Sequence, residues 1–391
     1  MRGVDSLPGR NTLILKIDIV ADDRRSGESF LRRLSDVLGV TQHGEASHPQ
    51  VTPLVGFSAR FFKGALRKGR DENSAATRFA IEQPVPTCLR MITARGDGNY
   101  RHVSGEEQIR RNESDLLIVL ESDCENELQR AERGVLDVVL RQRGNVVGRS
   151  LGRRRSDGIG HLGFKGGVSN LQDIRKREPD RYRRYVYVCD GKAGSREYDG
   201  GTYLVYRKYI KNTGAWWSPD YFVRDENGVV RRGDEARGLT MGRNLRSQRV
   251  IDAIGGGERE HEVDSAEARY APSFSHIRQA NPRGAATSAF GDPIVPRDVR
   301  ILRRSCPFEE IDATGRSVQG LLFMCFQADI QEYGFEFINN QWLHATGFLG
   351  RADPLLDPSA RLVEPVDGCY YFVPPARSFV GDVFFHSKEL M

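Results

Sequence analysis

The sequence predicts an α+β fold made of two halves of similar build, and three observations carry the prediction. Short runs alternate apolar and polar residues at the strand period. Other runs place apolar residues on one helical face. The same strand-then-helix order appears in each half, and no short-period repeat of the solenoid kind interrupts it. In chain order, "NTLILKIDIV" (11–20) reads as a strand, and "GESFLRRLSDVLGV" (27–40) as a helix with Phe30, Leu31, Leu34, Val37 and Leu38 on one face. "SDLLIVLES" (114–122) reads as a buried strand, and "CENELQRAERGVLDVVLRQRG" (124–144) as a long amphipathic helix closed by Gly144. In the second half, "GTYLVYRKYI" (201–210) and "QGLLFMCFQAD" (319–329) read as strands, and "IQEYGFEFINNQWL" (330–343) as the helix after the latter. A chain of 391 residues accommodates one large domain or two of ordinary size.

Composition narrows the function classes. With 58 basic and 53 acidic residues the net charge is +5, too small an excess to mark a nucleic-acid binder. The arginine clusters at 153–155 and 181–184 read as solvated faces. The opening residues lack an apolar stretch of signal-peptide length, and no window approaches the ~20 apolar residues of a membrane span. The expectation is a cytoplasmic protein with no membrane or nucleic-acid partner. The six cysteines are scattered without a CxxC, which argues for buried small hydrophobes and against a cysteine-rich zinc site. Segments 68–80 and 254–270 read as surface loops. "RGAATSAFGDPIVPRD" (283–298) is a connection long enough to be either disordered or functional.

Few residues offer chemistry by pattern alone. None of the eight histidines (His43, His48, His102, His161, His261, His276, His344, His386) pairs with another at metal spacing. There is no GxSxG and no P-loop, and "GIGHLG" (158–163) fits a dinucleotide fingerprint only loosely, because no strand runs into it. His276, in "YAPSFSHIRQANPR", stands out, with Arg303 following in "VRILRRSCPF". A lone histidine of this kind is either a structural side chain or the single axial ligand of a haem. An arginine across the ring would then be the fixed cation that peroxide chemistry needs.

At these residues the chain resembles the dye-decolorizing (DyP-type) haem peroxidase family, over nearly its full length. "VTPLVGFSARFF" (51–62) resembles the family's N-terminal strand block, and "GHLGFKGGVSN" (160–170) its GxxDG region. "DGGTYLVYRKY" (199–209) resembles its central strand, "FSHIRQANPR" (274–283) its proximal-histidine segment and "RILRRSCPF" (300–308) its distal-arginine segment. "GLLFMCFQADI" (320–330) resembles the strand that floors the pocket, and "CYYFVPP" (369–375) the C-terminal block. The resemblance implies two ferredoxin-like α+β halves in a dimeric α+β barrel-like arrangement. Residues 1–190 would form the N-terminal half with the GxxDG-like loop, and 191–391 the C-terminal half with the haem. It further implies haem b as cofactor, with His276 as the iron ligand, Arg303 as the distal arginine and Asp329 as the carboxylate accepting from the proximal imidazole. Leu321 and Phe323 alternate along one strand, share a face and would line the distal pocket. Arg207 and Arg243 are candidates for the haem propionates.

The chain departs from the family at the loop. Aligning Gly163, Phe164 and Lys165 with the first three positions of GxxDG puts Gly166 where the aspartate belongs, and Gly167 on the last glycine. A smaller change places Ser305 where some relatives have an asparagine. The missing carboxylate removes proton-transfer help of about 10²–10⁴-fold. The expectation is a haem-dependent oxidoreductase that uses hydrogen peroxide on a small organic substrate. The alternatives are a haem tailoring enzyme acting on a bound small molecule, or a non-catalytic haem-binding or haem-handling protein. Oligomeric state is open, a homo-oligomer included. The tail "FFHSKELM" does not resemble the extension by which some relatives enter encapsulin shells, so that partner is not expected.

Overall fold

A computed structural model describes residues 2–20, 24–39, 50–62, 85–94, 113–167, 171–253, 257–259, 270–282, 286–287, 293–294, 299–312, 314–345, 349 and 351–375. His43, His48, His102, His261, His386, the segment 68–80, most of 254–270 and 283–298, and the tail lie outside the described residues.

The first half runs β1 (Asn11–Asp18), α1 (Arg24–Leu38), β2 (Thr52–Ser58), β3 (Leu116–Ser122), α2 (Glu125–Arg141), β4 (Asn145–Arg153). Its strands lie in the order β2-β3-β1-β4, all antiparallel. Every residue of β1 is buried, because both faces of the strand are covered. Leu13, Leu15 and Ile17 pack outward under α1 (Phe30, Leu34) and α2 (Val135), while Ile14 turns inward to Leu117 and Val119. This is the period-two logic of a strand applied twice.

The second half repeats the plan with β5 (Thr202–Lys211), the short β6 (Leu302–Arg303) continuing into β7 (Cys306–Ile311), β8 (Ser317–Gln327) and β9 (Val363–Val373). In both halves the first strand lies between the third and the fourth, and the second flanks the third. That is the ferredoxin-like order, and the fold is the α+β one the sequence predicts. The strand-and-helix pattern alone predicts two α+β sandwiches of similar build and says nothing of how they join. In the structure β9 pairs with β2, through Tyr371 opposite Ser58, and joins the halves into one nine-stranded sheet. The pairing satisfies an edge that each half would otherwise expose.

The sheet rolls until β4 faces β7. A side-chain carbon on Gly152 would lie 2.8 Å from Cys306 Sγ and 2.9 Å from the Pro307 carbonyl. No ladder joins these two edges among the described residues, so the barrel has a seam. Its interior holds Leu204, Tyr206, Leu322, Met324 and Phe326 beside Ile14 and Leu117.

Elements of the second half then cover the outer face of β5 and β8. Helix α3 (Gly233–Met241) ends on Gly242 at φ 85, a left-handed cap open to glycine. Helix α4 (His276–Ala280) follows later in the chain. The helix expected over 330–343 begins only at Phe335 and continues as a π-helical turn, Ile338–Leu343. The cause is Asp329, whose Oδ1 accepts from the backbone N–H groups of Gln331 (2.8 Å) and Glu332 (2.7 Å) and holds them in a turn. Of the six cysteines, Cys88, Cys306, Cys325 and Cys369 are buried, whereas Cys124 and Cys189 are partly exposed. No described helix is long and apolar enough to cross a membrane.

Candidate functional site

The glycine-rich loop after β4 is a small hairpin. Ile159 bridges Lys165, and the Gly160 and Gly166 amides donate to the Phe164 and Gly158 carbonyls at 3.0 and 2.9 Å. Neighbouring elements then pin it. The Trp216 indole donates to the Leu162 carbonyl (3.1 Å) and the Trp217 indole to that of His161 (3.0 Å). Gln248 donates to the Gly163 carbonyl (3.0 Å) and accepts from the Lys165 amide (2.8 Å). Arg243 donates from Nη1 to the Lys165 carbonyl (2.9 Å) and from Nε to that of Gln248 (3.0 Å). Gly163 sits at φ 82, where a β-carbon would come within 2.7 Å of Leu245 and 2.9 Å of Trp217. Lys165, Gly166 and Gly167 are exposed, and Gly167 also has a positive φ of 72. The nearest atom to a β-carbon on Gly166 is the Gly158 carbonyl oxygen at 3.8 Å, so that position is open. Phe164, expected to line the cofactor site, is buried and meets Trp216 edge-on with ring centres 6.4 Å apart. Its ring anchors the loop to the apolar cluster of Leu162 and Leu355.

His276 opens α4. Its Nδ1 lies 2.6 Å from Oδ2 of Asp353, a fully buried carboxylate, so Nδ1–H donates, and in the neutral imidazole Nε2 carries the lone pair. Nε2 has no protein partner among the described residues, and the side chain is 25% exposed. Asp353 is itself held: its Oδ1 accepts from the Leu355 amide (2.9 Å), and its own amide donates to the Leu343 carbonyl at the end of the π-helical turn (3.1 Å). The carboxylate on the imidazole is therefore Asp353 and not Asp329. Asp329 spends Oδ1 on the turn described above, and its Oδ2 faces the Cys88 thiol at 3.6 Å. Burial, followed by the Asp329 charge, pushes that thiol up to about 12.

The third part is the outer face of the sheet. Arg303 lies opposite Cys325, and Phe323 opposite Arg207. Alternation puts Arg207, Arg303, Leu321, Phe323 and Cys325 on one face. Leu321 and Phe323 are half-buried there, with Phe323 against Phe335 and Tyr209 at ring separations of 5.6 and 6.1 Å. Arg207 is buried, stacked between Tyr370 (4.5 Å) and Phe335 (5.3 Å), and donates to the Tyr370 hydroxyl (2.6 Å). Burial pushes the Cys325 thiol up, and the Arg207 and Arg303 charges partly oppose it. Arg243 is held below its ordinary value by burial first and then by the nearby Arg303 charge. Ser305 follows Arg303 on the same face.

Two contacts unite the parts. A β-carbon on Gly242 would come within 2.6 Å of Ser275 and 2.7 Å of Ile277, so the start of α4 lies directly against the end of α3. The next residue, Arg243, reaches the loop carbonyl and the field of Arg303. The donor set fits a haem: one imidazole nitrogen left free by a buried carboxylate, a cationic pair at Arg243 and Arg303, and a glycine loop beside them. Asp353, Gln248 and the two tryptophans escape pattern reading. Asp353 stands in "RADPLLDP", far along the chain from His276, and no local spacing links them.

Comparison with known proteins places these features in a family context. The model of the family described as "Dyp-type peroxidase, C-terminal" matches residues 157–378. Among solved structures, the chain is similar to a DyP-type peroxidase from Cellulomonas bogoriensis, with 22% identity, TM-score 0.62 and coverage of 96% of this chain and 92% of that one. It is also similar to a DyP-type peroxidase from Streptomyces coelicolor, with 17% identity, TM-score 0.67 and coverage of 98% and 95%. A Rhodococcus jostii RHA1 DypB variant, in complex with heme, matches at 18% identity and TM-score 0.59, covering 96% of each chain. No curated protein matches the sequence.

Proposed function

The chain belongs to the Dyp-type peroxidase family, and from that premise we propose that it is a haem b-dependent peroxidase that uses hydrogen peroxide to oxidise a small organic substrate. The observation that carries the reading is the His276–Asp353 pair, a single imidazole with its tautomer fixed and Nε2 left as a donor. Haem would supply the redox-active iron at which the peroxide bond is cleaved. His276 Nε2 would hold that iron, and Asp353 makes the imidazole a stronger donor by drawing on its Nδ1 proton. Arg303 presents a fixed cation to the peroxide oxygens and stabilises charge as it moves to the departing one. Arg243 keeps Nη2 without a hydrogen-bond partner among the described residues, and suits a propionate. Arg207, stacked and bonded to Tyr370, instead stiffens the floor beneath. Gly166 offers no acid, so the peroxide proton would be carried by solvent, with Arg303 as a fixed cation beside it.

The open space at Gly166 favours a second reading, in which an organic molecule binds beside the loop and the protein is a tailoring enzyme. Stopped-flow mixing of the haem-loaded protein with hydrogen peroxide separates the readings. The peroxidase reading predicts a saturable change in the visible spectrum, slowed about 100-fold in Arg303→Ala. It also predicts acceleration in Gly166→Asp. No acceleration there favours the tailoring reading, and a spectrum indifferent to peroxide marks a haem binder.

A further inference from the structure

Arg303 and Ser305 point to the outer face, so Arg304 between them points into the barrel, where a charged plug closes the seam. Arg304 donates from Nε to Oε2 of Glu121 on β3 (2.6 Å), and from Nη2 to the Ser6 hydroxyl (3.1 Å) and the Leu7 carbonyl (3.2 Å). The Arg304 and Glu121 side chains are 4% and 1% exposed. Arg154, just past β4, completes the plug. Its Nη1 donates to the Thr12 hydroxyl (2.8 Å) and its Nη2 reaches Oε1 of Glu121 (3.3 Å). That Nη2 also reaches across the seam to the backbone carbonyls of Ser305 (3.0 Å) and Arg304 (3.3 Å). Thr12 donates in turn to Glu121 Oε1 (3.1 Å).

The placement follows from topology. β4 and β7 are the two edges of the rolled sheet, and among the described residues no ladder fixes one against the other. On its other side the Arg303–Cys306 strand is tied to β8 by the Arg304 amide, which donates to the Met324 carbonyl (2.8 Å). On the seam side its carbonyls are fixed by a side chain from the other half of the molecule. A guanidinium that spans consecutive carbonyls restricts both the height and the twist of the strand bearing Arg303.

We propose that Arg154 and Glu121 are positioning residues for the distal face: Glu121 orients the two arginines, and Arg154 clamps the backbone that presents Arg303 and Ser305. The inference rests on the peroxidase reading for the role of Arg303, and concerns N-terminal-half residues that touch neither haem nor substrate.

Arg154→Met tests it with least disturbance, because the Arg304–Glu121 pair survives. Amide hydrogen exchange in the haem-free protein reads the clamp directly. Exchange at Arg304 and Cys306 should quicken about 10-fold or more, the worth of losing charge-assisted bonds, while β1 and β3 stay protected. Fluoride titration of the haem-loaded protein, followed by visible spectrum, reads the consequence. Its dissociation constant should rise about 10-fold, toward that of Arg303→Ala, with the haem band in place. If Arg154→Met is too unstable, Arg154→Lys carries both measurements, keeping the charge near Glu121 while its shorter side chain loses the reach of Nη2 to the two carbonyls. Exchange or fluoride affinity within twofold of the parent would overturn the proposal. Arg303→Ala is the control for the peroxidase reading: if it binds fluoride as the parent does, that reading fails, and the exchange result still decides the clamp.

Discussion

Gly163 and Gly166 share one loop, yet a side chain would meet different surroundings at each. At Gly163 a methyl group combines a positive φ with overlap against Leu245 and Trp217. Gly163→Ala should cost about 2 kcal/mol or more in denaturant unfolding. Gly166→Ala should leave stability within about 0.5 kcal/mol, since its nearest neighbour is 3.8 Å away. Position 166 therefore has room for a side chain. His276, Arg303 and Gly166 are singled out in the sequence because each lies in a short segment that resembles the family. Asp353 was not legible, since its partnership with His276 arises only when the π-helical turn and its following loop fold back on α4. Asp329 looked right by position along its strand, but an aspartate at a strand end is equally suited to capture backbone amides.

Strand β5 carries an anomaly at its end. Lys211 lies on the same face as Arg207 and Tyr209 without an ion pair among the described residues, and burial lowers its ammonium to about 8. His161 nearby is held below its ordinary value by burial and then by the Lys211 charge. Because the folded-state value for Lys211 is below the unfolded one, the charge opposes folding at neutral pH. That opposition fades as pH rises through about 8 toward 10.5. Stability should climb across that window, and Lys211→Met should raise the melting temperature at pH 7 and flatten the climb. An unchanged pH profile would show that the ammonium is solvated. The four strands read from pattern match β1, β3, β5 and β8 to within two residues at their ends, whereas β4, β6, β7 and β9 were not read as strands and β2 came only from the family resemblance. The helix expected over 330–343 was not, because its apolar spacing continues through the Asp329 turn.

Across the whole molecule, the duplicated order β2-β3-β1-β4 and β7-β8-β5-β9 makes the two halves equivalent in plan, and we place their division at 190/191, within the connection between β4 and β5. The pattern of strands and helices disclosed the duplication and the family resemblance implied a barrel-like arrangement, but neither disclosed the strand pair that joins the halves, β9 with β2, nor the seam plug. Glu121→Ala should cost about 3–5 kcal/mol, measured by denaturant, because it leaves the buried Arg304 and the half-buried Arg154 without their carboxylate. On the proposed reading both halves would serve one site, with His276 in the second half and the glycine loop and Arg154 in the first. The visible absorption spectrum of the protein loaded with haem b, compared with that of His276→Ala, tests this account most directly. A Soret band that is present in the parent and lost or shifted to that of unligated haem in His276→Ala is the predicted result; a parent that takes up no haem, or a variant with the parent's spectrum, would contradict it.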